Sequence, residues 1–175
     1  MISAKFESLI VRLFTKIGEL DSKIEITRQV LVDQPSFQPK SCFYRLDRMR
    51  RNIITAEDIL NFLKDNVEED NPHLELQIGE LTIHECQLVI RQFDHDRKDY
   101  LNYEQFLDML LPLSKSKCIQ DRMQIVMDPN NHDYIVDKRA KLAYELEYTL
   151  LRIILQEVQL ATAIEDCRRD IYSVI

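Results

Sequence analysis

Two stretches of this chain repeat each other at an offset of 47 residues, the spacing from Asp47 to Asp94. At that offset Phe43 falls on Ile90, Leu46 on Phe93, Ile54 on Leu101, Ile59 on Phe106, Leu60 on Leu107, Phe62 on Met109 and Leu63 on Leu110. Every pair sets apolar against apolar, so the middle of the chain is expected to hold two copies of one supersecondary unit. What such a unit is made of follows from composition. The chain has 175 residues with only 2 glycines, Gly18 and Gly79, too few for turn-rich sheets or phosphate-cradling loops, while Leu, Ile, Glu, Gln and Arg are plentiful. The fold class expected is all-α.

Long amphipathic helices are expected on both sides of the repeat. Phe6, Ile10, Leu13, Ile17, Leu20 and Ile24 recur at steps of four and three, with Leu9 and Phe14 widening the stripe. This predicts a helix over about residues 3 to 32, ended by Pro35 and Pro39. Ala143, Leu146, Leu150, Ile153, Leu160, Ile164, Cys167 and Ile171 form a second stripe, interrupted once by Glu157. Near its middle Leu151, Ile154 and Val158 add another apolar face, so this helix is expected to lie between neighbours. The expected division is an N-terminal helix over 1–34, the repeat over 35–112, a linker over 113–137 and a C-terminal helix over 138–175.

The segment Asp94-His95-Asp96-Arg97-Lys98-Asp99-Tyr100-Leu101-Asn102-Tyr103-Glu104-Gln105, flanked by Phe93 and Phe106, resembles an EF-hand calcium loop. The resemblance implies a pair of helix-loop-helix units with loops at 47–58 and 94–105. In that family oxygen ligands come from the first, third, fifth, seventh, ninth and twelfth loop residues, with glycine sixth. It would make Asp94, Asp96, the Tyr100 carbonyl and Asn102 the candidate ligands here, with Leu101 as the buried residue that pairs the loops. Lys98, Asp99 and Gln105 depart from the pattern: an ammonium at a ligand position, no glycine for the turn, no closing carboxylate. In the first copy Asp47 and Asp58 fit the two ends, but Met49 and Arg51 remove the middle ligands. Hard divalent cations need about six or more oxygens, so calcium binding is expected to be weak or absent, and no cofactor is expected.

The remaining signals point away from catalysis. No phosphate loop, nucleophile elbow, paired-histidine metalloprotease motif or dinucleotide fingerprint is present, and His73, His84, His95 and His132 are scattered. Cys42, Cys86, Cys118 and Cys167 lack metal-ligand or disulfide-framework spacing. A net charge of −7 disfavours nucleic acid and anionic membrane as partners, and no run reaches membrane-spanning length. With no secretory leader pattern in MISAKFESLIVRLF, a cytoplasmic setting is expected.

The expectation is a non-catalytic scaffold or adaptor whose partners are helical segments of other chains. Leu151, Ile154, Val158, Leu160 and Ile164 are the apolar candidates for that contact, and Arg48, Arg50 and Arg51 a cationic one for an acidic surface. The layout resembles divergent EF-hand subunits of cytoskeletal and ciliary assemblies. The alternative is a calcium-responsive regulator binding one ion weakly in the second loop.

Overall fold

The computed structural model describes residues 4–66, 78–114, 116–128 and 142–173. Its elements are α1 (Ala4–Asp33), α2 (Pro39–Leu46), α3 (Ala56–Asp65), α4 (Ile83–Phe93), α5 (Tyr103–Leu110), α6 (Lys117–Met127) and α7 (Tyr144–Tyr172). Among the described residues there is no strand, and one isolated bridge joins Ile54 to Leu101.

Local chemistry sets where the short helices begin. Pro39 opens α2, where its missing N–H is no loss. Thr55, Asn102 and Thr82 cap α3, α5 and α4, each closing a reciprocal box with Asp58, Gln105 and Glu85 three residues on. α1 stops just before Pro35, and its last carbonyls are met from outside. Arg122 of α6 donates from Nε to the Val32 carbonyl at 3.0 Å and from Nη2 to the Gln34 carbonyl at 2.8 Å, satisfying groups a helix end leaves open.

α7 is the spine. It runs antiparallel to α1, since Arg28 meets Glu157 while Gln34, further along, meets Thr149. Its opposite side packs on α4 and α3. The core joins Leu146, Leu150, Ile153 and Ile154 of α7 to Leu31 of α1, Ile59 and Phe62 of α3, Val89 and Ile90 of α4, and Phe106 of α5. Phe43 stands edge-on to both Tyr103 and Phe106 at 5.4 Å, tying α2 to α5. Each such ring pair adds about 0.5–1.5 kcal/mol beyond burial.

Three expectations need correction. The segment expected as linker contains α6, whose short stripe of Ile119, Met123 and Val126 lies half-buried. The last helix starts at Tyr144 rather than 138; there Glu147 turns back, its Oε2 accepting the Leu142 N–H at 2.8 Å. The second apolar face of α7 does not await a partner, because this chain's own lobe covers Leu151, Ile154 and Val158. The sequence Asp128 to Tyr134 suggests an Asn/Asp turn, and Glu68, Glu69 and Asp70 an acidic linker; residues 129–134 and 68–70 lie outside the described residues. The first half of α1 behaves differently: its first buried residue is Ile24, and Val11 and Phe14 are exposed.

Candidate functional site

The repeat seen in the sequence recurs in the backbone. Asp47 donates its N–H to the Phe43 carbonyl at 2.9 Å, and Asp94 donates to Ile90 at 2.8 Å. Arg50 and Asn52 in the first loop, and Arg97 and Asp99 in the second, have φ between 57 and 62°, left-handed geometry at matching positions. That conformation is disfavoured for residues with a Cβ by about 1–2 kcal/mol each. Ile54 and Leu101 then exchange both N–H···O bonds at 2.8 Å, and both side chains are fully buried. The two loops are back to back and locked in register.

Inside that frame the loops are closed differently. In the first, the Asp47 carboxylate accepts the N–H of Arg51 at 3.0 Å and of Asn52 at 2.7 Å. Asp58, at the far end, accepts the Thr55 N–H and hydroxyl at 2.8 and 2.7 Å, and the Arg51 guanidinium at 2.8 Å. A cationic side chain of the loop itself therefore lies against its terminal carboxylate. In the second loop Asp94 Oδ2 accepts the Asp99 N–H at 2.7 Å, while Oδ1 is buried with no hydrogen-bond partner. Lys98 Nζ sits 3.3 Å from Asp96 Oδ2. Asn102 and Gln105 spend their side-chain oxygens on each other's N–H groups, at 2.9 and 3.0 Å.

Of the candidate ligands, Asp94, Asp96, Tyr100 and Asn102 share one loop, but the donor set does not fit a calcium ion. Asn102 is engaged as a helix cap, an ammonium stands beside Asp96, and the residue closing the loop is a neutral amide that caps in turn. Among the described residues no group of three or more His, Cys, Asp or Glu is placed so that it could hold a metal ion. The first loop fits still less, with Met49 and Arg51 at ligand positions.

In comparison with known proteins, the chain matches no family model, no curated protein and no solved structure.

The residues expected to meet a partner separate into two groups. Leu151, Ile154, Val158 and Leu160 are buried within the chain, and of the apolar set only Ile164 is exposed. The loop arginines all find internal company: Arg48 pairs with Asp65, the Arg50 guanidinium lies 4.3 Å above the Tyr44 ring, and Arg51 pairs with Asp58. Arg48 and Arg51 stay exposed while so paired. All four cysteines are free, and burial pushes the Cys42 thiol well up and Cys86 to about 12, so neither forms a thiolate near neutrality.

Two polar contacts of the core were not anticipated. Arg45 of α2 donates from Nε to Glu147 at 2.8 Å, pinning the first unit to the start of α7. Arg28 of α1 donates to Glu157 at 2.6 Å and to the Met109 carbonyl at 2.8 Å. A signal for the second existed: Glu157 is the one charge breaking the apolar stripe, and a charge so placed requires a partner.

Proposed function

We propose that this chain is a non-catalytic helical adaptor, built on an EF-hand-like pair of helix-loop-helix units that folds without calcium and holds its long helices for other protein chains. The observation that carries the reading is the contact of Arg51 with Asp58. A positive charge of the loop itself offsets its terminal carboxylate, and the paired loops then depend on apolar packing and on the Ile54–Leu101 bridge. Partner contact falls to the part of the molecule left uncovered. The first half of α1 carries Phe6, Leu9, Ile10, Leu13 and Ile17 at best half-buried, with Val11 and Phe14 exposed. An apolar stripe of this kind suits a helical segment of another chain. A cytoskeletal or ciliary assembly is the setting the resemblance suggests.

The test is affinity capture of the intact chain from its native source, once with EGTA and once with calcium, followed by chemical cross-linking. The reading expects the same companions in both conditions, with cross-links on residues 6–20 of α1. Companions lost in EGTA would favour the second reading, a calcium-responsive regulator acting through the second loop. One observation supports that alternative, the buried Asp94 Oδ1 with no hydrogen-bond partner, since an added cation would satisfy it.

A further inference from the structure

The two loops share a backbone but not a means of closure. Arg51 touches both ends of the first loop. Its backbone N–H donates to Asp47 at 3.0 Å, as any residue there could, while its guanidinium donates to Asp58 at 2.8 Å, so the charge of the side chain is spent on the last carboxylate. The guanidinium side is 43% exposed, whereas the Asp58 side chain is only 9% exposed. The buried carboxylate therefore depends on the pair more than the arginine does. The second loop has no such contact: Lys98 reaches only Asp96, and the residue matching Asp58 is the neutral Gln105.

We infer that Arg51 is the resident cation of the first loop, a guanidinium lock that closes it at Asp58 and shuts it to divalent ions. The inference rests on the reading of the lobe as a calcium-independent pair and adds how that independence is built. Arg48 and Arg50 do not share the role. Arg48 pairs with Asp65 on α3 and Arg50 lies over Tyr44 of α2, so both brace the flanking helices rather than the loop. Met49, which stands between them, is exposed and makes room for a further ligand if it is exchanged.

The test replaces the internal cation with an external one in the full chain. Met49→Asp/Arg51→Asp leaves the loop with carboxylates at residues 47, 49, 51 and 58 and no guanidinium. In EGTA its Tm is expected to fall below that of the unmodified chain. Terbium(III), titrated as the probe, is expected to bind it at least about tenfold tighter than the unmodified chain and to restore the lost Tm. Adding Asp58→Asn is expected to remove most of that gain, because ion and guanidinium use the same carboxylate. Equal Tm in EGTA, no gain in terbium affinity, or a gain indifferent to Asp58→Asn would each overturn the lock. Should the double variant fail to fold in EGTA, Arg51→Gln carries the test. It is expected to lower Tm by about 2–4 °C, with part of the loss regained on adding Asp58→Asn, and an unchanged Tm refutes the role. Calcium sensitivity of the unmodified chain bears on the reading of the lobe alone, and the Arg51 variants on the lock alone.

Discussion

Arg28 of α1 and Glu157 of α7 meet at 2.6 Å with only 7% and 1% of their side chains exposed. Through Nε the same guanidinium holds the Met109 carbonyl near the end of α5 at 2.8 Å. One arginine thus joins both long helices to the second repeat unit. Burial raises the Glu157 carboxyl to about 7, with Asp21 adding to the rise and Arg28 offsetting part of it.

Removing the arginine leaves that carboxyl without its counter-charge. Arg28→Met is expected to lower stability by about 3–5 kcal/mol, the usual consequence of breaking a buried pair from one side. Urea denaturation measures it. A change below about 1 kcal/mol would mean the pair is solvated in solution.

The pH dependence has a definite sign. Because the folded pKa, about 7, lies above the ordinary glutamate value of 4.5, the folded chain binds more protons than the unfolded chain between those values. The group's contribution is full below about pH 4.5 and is lost as pH rises through 7. Relative to Glu157→Gln, the unmodified chain is therefore expected to gain on the order of 1–3 kcal/mol between pH 8 and pH 5. Thermal melts of both across that range provide the comparison, and parallel curves would refute the assignment.

Arg97 is exposed and sits at φ 57°, where a Cβ is unwelcome. Arg97→Gly relieves that strain, less the added freedom of glycine when unfolded, for a net gain of about 0.5–1 kcal/mol. Tm should rise by about 1–4 °C. A fall would show that the second loop does not hold this turn in solution.

Phe106 is fully buried, edge-on to Phe43, in the ring cluster that ties α2 to α5. Phe106→Ala is expected to cost about 3–5 kcal/mol. Hydrogen exchange should locate the loss at both loops, because Ile54 and Leu101 are bridged. Faster exchange confined to the second loop would separate the two units.

Much of the fold was legible because the repeat fixed it twice over. Phe43 with Ile90, Ile54 with Leu101 and Ile59 with Phe106 are all buried, as pairs of matching positions in one repeated unit require. α6 escaped because its 11 residues carry a short stripe between polar flanks, too brief for periodicity to stand out. The second face of α7 misled for another reason. Periodicity counts apolar faces but does not say whether the cover comes from the same chain or another, and here α3 and α4 supply it. The arginines of the first loop were legible as charge and not as geometry. In the fold Arg48, Arg50 and Arg51 turn to Asp65, Tyr44 and Asp58, partners set by tertiary packing rather than by neighbours in the chain.

Thermal melting of the unmodified chain in EGTA and in about 1 mM calcium reports whether this lobe holds its shape without a metal ion. A lobe that folds without calcium has the same Tm in both, within about 1 °C. A micromolar site would add about 4 kcal/mol at that concentration and raise Tm by roughly 10 °C, and such a rise would contradict a metal-independent lobe.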